Sequence, residues 1–155
     1  MRRRAAKIRK IFPDAKYGEV IVSRFVNRLM DDGKKSVVEK AVYSAFDNLE
    51  KKLQKSPIDI FREALENVTP KIEVRSRRIG GATYQIPIEV PSRRGSALAL
   101  KWLKVAIESA NGRNLAAKVT AVILDSLENK GWAAKKKEEV FKMAEANKAF
   151  AHYRW

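Results

Sequence analysis

The chain has no cysteine among its 155 residues, which excludes disulfides and thiolate metal sites and fits a reducing compartment. Histidine occurs once, as His152, close to the C-terminus and without a neighbouring carboxylate cluster. Neither a catalytic triad nor a metal site can be assembled around it, so it is expected to contact the fold or a partner. No stretch approaches the roughly 18 consecutive apolar residues of a spanning helix. The opening Arg2-Arg3-Arg4 leads to Ile8-Arg9-Lys10-Ile11-Phe12-Pro13 and not to an apolar signal core, which argues against secretion and membrane insertion. Gly80-Gly81 lacks both the GxxxxGK[ST] and the GxGxxG spacing of phosphate-cradling loops. The nearby carboxylates Glu63 and Glu66, and Glu138 and Glu139, read as solvated helix faces. There is no internal repeat and no low-complexity tract. These absences leave no enzyme in view and no cofactor or metal to expect.

Negative charge is also scarce, with 18 Asp and Glu against 33 Lys and Arg and a formal net charge of +15. A folded chain of that charge repels itself, and such an excess is usually kept for a polyanion. Its distribution is more informative than its size. Residues 1–30 hold nine basic and two acidic side chains, residues 31–70 seven and eight, residues 71–113 nine and three, and residues 114–155 eight and five. The excess therefore sits at the N-terminus and around residues 71–113, on either side of a balanced scaffold.

At this length a single domain burying about two-thirds of its unfolded surface is expected. Residues 1–18 read as a basic arm carrying Arg2, Arg3, Arg4, Lys7, Arg9 and Lys10, either a disordered tail or a segment that folds on binding. Residues 19–149 form the domain and residues 150–155 an aromatic and basic tail. Periodicity predicts a first helix from Glu19 to Met30 with Val22, Phe25, Val26 and Leu29 inward and Arg24 and Arg28 on the other face. Asp31-Asp32-Gly33 stops it. A second helix, 34–53, opens at Lys34-Lys35 and buries Val38, Val42, Ala45, Phe46, Leu49 and Leu53. Ser56 as N-cap and Pro57 begin a third helix through Ile58, Phe61, Ala64, Leu65 and Val68, which Pro70 ends. A fourth runs from Pro91-Ser92 to about Ala110 with Leu98, Trp102, Leu103, Ala106 and Ile107 inward. On its other side Arg94, Lys101 and Lys104 fall within about 80° of one another. A fifth spans Asn114 to Glu128 on Leu115, Val119, Val122, Ile123 and Leu127. The sixth is expected to begin near Lys135-Lys136-Lys137, where three cations oppose the helix macrodipole and suit an external anion. In the ending Phe150-Ala151-His152-Tyr153-Arg154-Trp155 the aromatic rings either stack on bases or pack into a protein groove.

Between the third and fourth helices, two runs rich in β-branched and aromatic residues, 72–79 and 83–90, flank Gly80-Gly81 and predict a β-hairpin. Apolar alternation would set Ile72, Val74 and Ser76 on one face with Tyr84, Ile86, Ile88 and Val90. That requires a loop of odd length, and three residues with a Gly bulge would serve. The opposite face would then carry Glu73, Arg75, Arg77, Gln85, Pro87 and Glu89, with Glu73 and Glu89 paired and Arg78 near the tip. Arginine presents a planar fork suited to phosphate oxygens, and a two-stranded ribbon can lie along a nucleic-acid groove. The residues alone thus describe a mainly helical domain of six helices with a protruding basic hairpin. An architectural DNA-binding protein would fit as well, although only Ile79 near the tip could wedge between bases. A purely protein-binding module explains the basic clusters poorly.

The run from Glu73 to Pro87, the segment Asp32-Gly33-Lys34-Lys35, the pair Arg93-Arg94 and the ending from Met143 to Trp155 resemble the bacterial small-subunit ribosomal protein seven family. The resemblance extends over essentially the whole chain. It implies a six-helix domain with an extended hairpin, cytoplasmic and housed in the small ribosomal subunit, that binds small-subunit ribosomal RNA in its 3′ major domain. It further implies nucleation of head assembly and a place near the decoding region and the exit-site tRNA. Neighbouring head and platform proteins, numbers nine and eleven, would be partners. On that basis Lys34, Lys35, Arg75, Arg77, Arg78, Arg93 and Arg94 are RNA contacts, joined by the arm cations and by Lys101, Lys104, Lys135, Lys136 and Lys137. Gly80, Gly81, Tyr84, Lys142 and Arg154 are candidates for tRNA proximity.

Overall fold

The computed structural model describes residue 4 and residues 9–153. Six helices, α1 (Val20–Leu29), α2 (Lys35–Leu53), α3 (Pro57–Val68), α4 (Ser92–Ser109), α5 (Leu115–Leu127) and α6 (Gly131–Ala146), surround one core. The strands β1 (Ile72–Ile79) and β2 (Ala82–Glu89) pair between α3 and α4, and a 3₁₀ helix (Lys148–Tyr153) follows α6. The predicted order is thus observed. Helix α5 packs against α2, α3 and α4, α1 lies against α2 and α4, and α6 reaches both strands of the hairpin.

Each helix forms because its apolar residues recur at helical spacing and can share that core. Phe25, Phe46 and Phe61, from three different helices, are fully buried. The Phe61 ring lies 4.9 Å from that of Phe25 and 5.5 Å from that of Phe46. Local signals then set the ends. Asp32 and Gly33 have φ of 52° and 74° and turn the chain after α1, Gln54 is left-handed and its N–H bonds the Glu50 carbonyl, and the Asn114 side chain accepts from the Ala117 N–H at the start of α5.

Several local expectations give way. Ser56 does not cap α3 with its side chain; only its carbonyl takes part, receiving the Ile60 N–H at 3.1 Å. Leu53 is 38% exposed at the C-terminal end of α2. On α4, Ala99 and Leu100 take the inward position expected of Leu98, which is only half-buried. Gly95 explains the tilt, since a Cβ there would come within 3.0 Å of the Thr69 methyl and 3.4 Å of the Pro70 carbonyl. Helix α6 starts at Gly131, so Lys135, Lys136 and Lys137 lie beyond its first turn and the macrodipole argument does not hold for them.

The hairpin register is the largest correction. Arg75 faces Ile86, Glu73 faces Ile88 and Ile79 faces Ala82, so the loop is Gly80-Gly81 alone. Both glycines have positive φ, 57° and 90°, the requirement of a type I′ turn whose twist matches the strands. An even loop changes the pairing parity: Ile72 and Glu89 share one face, while Glu73, Arg75 and Arg77 share the other with Tyr84, Ile86 and Ile88. The expected Glu73–Glu89 pair does not exist. Ile86 is fully buried and Glu73 nearly so.

The end of the arm is fastened to α2. Asp14, 6% exposed, accepts the Tyr43 hydroxyl at 2.9 Å and the N–H groups of Lys16 and Tyr17 at 3.1 and 3.2 Å. Lys16 reaches Asp47 at 2.9 Å, and the Tyr17 ring packs, tilted, against Phe46 at 5.5 Å. Burial, then the hydrogen bond to Asp14, pushes the Tyr43 phenol from its ordinary 10.0 up to about 12.

Phe61→Ala is expected to cost about 3 to 5 kcal/mol, read as a lower urea midpoint with an unchanged slope; a loss under about 1 kcal/mol would mean the three rings are not the centre of the core. For Tyr43, the folded state holds the phenol proton more tightly than the unfolded chain does. Its contribution is complete below pH 10 and is lost as pH rises towards about 12. Tyr43→Phe should therefore be less stable than wild type by about 1 to 2 kcal/mol at pH 8, and the gap should close through the alkaline range. A gap that stays constant would show that the phenol is not linked to folding.

Candidate nucleic-acid interface

Arg24 and Arg28 are four residues apart on α1 and project from one face, while Arg93, Lys101 and Lys104 do the same on α4. Because α1 packs alongside α4, these rows border a common groove of about 660 Å³, and Arg9 and Ile11 of the arm close its end. Of the described residues that line it, Glu108 alone is acidic. Among the described residues Arg24, Arg28, Arg93 and Lys101 have no acidic partner within salt-bridge distance. Lys104 is different, held by Asp31 at 2.8 Å and Glu108 at 3.4 Å. The hydrogen bond to Asp31 is the main reason its ammonium is raised above the ordinary lysine range. That bond also links the loop before α2, from which Lys34 and Lys35 emerge, to α4. Both are exposed, Lys34 4.0 Å from Asp32 and Lys35 3.3 Å from Glu39.

The groove continues towards the hairpin base. Arg75 and Arg94 both bond Glu73, through its Oε1 at 2.7 Å and its Oε2 at 2.6 Å. Arg77 follows Arg75 on the same face of β1, whereas Arg78 points to the other. Gly80 and Gly81 form the exposed tip. Tyr84 lies 5.2 Å from Phe150, ring to ring, so of the two readings of that aromatic, packing against protein applies in the free chain.

The sequence-assigned lysines of α6 divide. Lys135 is exposed and Lys136 pairs with Glu139 at 2.8 Å. Lys137 donates to the Asn67 carbonyl at 2.7 Å, which places a cation on the C-terminal end of α3, where the macrodipole favours it. Desolvation, with a smaller contribution from Lys71, holds the Lys137 ammonium below its usual range. Lys142 is exposed and bonds Glu138 at 2.7 Å. Arg4, Arg9 and Lys10 are exposed; Arg2, Arg3, Lys7 and Arg154 lie outside the described residues. The sequence reading did not select Arg24 and Arg28, although their i, i+4 spacing opposite the apolar stripe of α1 was the available signal.

Among the described residues no group of three or more His, Cys, Asp or Glu side chains is placed to hold a metal ion, and no helix is long and apolar enough to cross a membrane. The family model described as Ribosomal protein S7p/S5e matches residues 1–148. The small ribosomal subunit protein uS7 of Ruegeria pomeroyi is 51% identical over 154 residues, 99% of each chain. The uS7 protein of Paracoccus denitrificans and the uS7A/uS7B protein of Cereibacter sphaeroides match with the same identity and coverage. With a match that runs from the arm to the end of α6, and with relatives of half-identical sequence over the full length, the chain belongs to the ribosomal protein S7p/S5e family.

Proposed function

We propose that this chain builds the small ribosomal subunit by fastening separate segments of ribosomal RNA to one rigid helical block. Family membership makes it a ribosomal protein with a structural, RNA-binding role and no catalytic one. The observation that carries the RNA-contact assignment is the α1/α4 groove, where five cations from two helices and one from the arm face a single carboxylate. Phosphate neutralisation supplies affinity, and the fixed angle between α1, α4 and the hairpin supplies selection for RNA shape over sequence. Arg9, Arg24, Arg28, Arg93 and Lys101 line the groove, Lys34 and Lys35 flank it, Arg75, Arg77 and Arg94 extend it along one face of the hairpin, and Arg78 adds an RNA contact on the opposite face. The arm cations, Lys104 and Lys135 to Lys137 add charge around this surface. In the finer reading the target is the 3′ major domain, binding nucleates the head, and proteins nine and eleven adjoin the bound chain. The tip Gly80-Gly81 with Tyr84, Lys142 and Arg154 then faces the exit-site tRNA.

Affinity for the 3′ major domain RNA, for an unrelated RNA and for duplex DNA of equal length, across a salt series, tests the reading. Selective binding to the ribosomal fragment at moderate salt is expected; equal binding to all three, collapsing together, would favour an architectural DNA-binding role. Arg24→Ala with Arg28→Ala should flatten the salt slope by about 0.7 to 0.9 for each lost phosphate contact while leaving Tm nearly unchanged. An unaltered slope would remove the groove from the interface. The absence of cysteine permits a single reactive thiol by Ala82→Cys. A crosslinker there should capture exit-site tRNA in reconstituted subunits, whereas one at exposed Asn48 on α2 should not; equal capture by both would refute the tip assignment.

A further inference from the structure

Glu73 is the one acidic side chain buried within the hairpin, 7% exposed, although the next two residues on its face of β1 are Arg75 and Arg77. Its two oxygens are divided between two elements. Oε1 accepts from Arg75 through Nε at 2.7 Å and lies 2.7 Å from Nη2 of the same fork, while Oε2 accepts Nε of Arg94, 21 residues away in the first turn of α4. A buried carboxylate needs compensation, and one arginine in two-pronged contact would supply it. A second arginine leaves the cluster net positive, and both arginine side chains remain about half exposed, at 51% and 49%. Each fork has five N–H groups, so outer donors of both stay available after Glu73 is satisfied. Both guanidiniums are tied to one carboxylate, which keeps them near each other where β1 meets α4. The carboxylate offsets their mutual repulsion before any anion arrives, and it removes side-chain freedom that would otherwise be lost on binding. Its place at the α4 N-terminus, where no side chain caps the helix and the first turn is basic, adds the favourable macrodipole term.

We infer that Glu73 is a positioning residue that holds Arg75 and Arg94 as the two walls of a site for one RNA phosphate. This rests on the RNA-binding reading above and adds an acidic residue to its machinery. The consequence runs against simple charge counting. Removing a negative charge from a phosphate-binding face should tighten binding by Coulomb attraction alone, whereas removing a positioning group should loosen specific binding.

The test is Glu73→Gln in the full chain, measured against the 3′ major domain RNA and an unrelated structured RNA. Affinity for the ribosomal fragment is expected to fall about tenfold, the scale of one charge-assisted hydrogen bond, with binding to the unrelated RNA unchanged or tighter. Arg75→Ala should cost about as much in the wild-type background and little more in the Glu73→Gln background. Glu73→Asp keeps the charge but is too short to reach both forks, and should lose affinity comparably. It carries the test if Glu73→Gln fails to fold, as read by circular dichroism and Tm. Undiminished affinity in a folded Glu73→Gln or Glu73→Asp chain, or additive losses with Arg75→Ala, would overturn the inference. A wild-type chain that does not prefer the ribosomal fragment would instead overturn the RNA reading itself.

Discussion

Fifteen excess positive charges repel one another, and the geometry of this protein depends on a core that holds them at fixed separations. The tilted, contacting rings of Phe25, Phe46 and Phe61 join α1, α2 and α3, and α5 adds Val119, Val122 and Ile123 to the same core. Close packing of this kind transmits position from one helix to the next. It lets Arg24 on α1 and Lys101 on α4 face a shared groove that Glu108 alone lines with a carboxylate among the described residues. A loose assembly of the same helices would relax by separating the cations.

A small number of carboxylates refine the arrangement, and each joins elements distant in sequence. Asp14 fastens the end of the arm to Tyr43 on α2, Asp31 draws the loop before α2 to Lys104 on α4, and Glu73 joins β1 to α4 through Arg75 and Arg94. The three do not neutralise the surface. They set the direction from which the arm, the loop and the hairpin leave the block. A basic protein that must meet several RNA segments at once gains more from directed charge than from additional charge, because binding then loses less conformational freedom. The Lys137 contact with the Asn67 carbonyl is the reverse case, a cation turned inward to complete a helix end.

Much of this was legible in the residues. The stripe Val22, Phe25, Val26 and Leu29 can only be one face of a helix, and Gly80-Gly81 between two β-branched runs is a turn. The clustered charge in residues 1–30 and 71–113 marked the segments that build the groove and hairpin, and the match from Glu73 to Pro87 pointed to the family. The misjudged details share a physical origin. Leu98, Leu53 and Ser56 were assigned from local pattern, but Gly95 against Thr69 and Pro70 sets the rotation of α4, and helix ends obey whatever backbone groups they meet. Arg24 and Arg28 were visible as a pair, yet nothing local says that α4 brings Arg93 and Lys101 opposite them.

The sequence by itself determined the elements and their order, since helical period, turn glycines and charge clustering are properties of neighbouring residues. Only the tertiary structure decided the hairpin faces and the shape of the basic surface. In a strand of period two, a loop one residue shorter exchanges the faces. The preference for the shorter loop comes from the positive φ of both glycines together with the docking of Ile86 against the rest of the fold. On that face the buried Glu73 meets Arg94, brought from α4, in addition to Arg75 of its own strand. Long-range packing places those two charges together, and no local pattern in the chain encodes it.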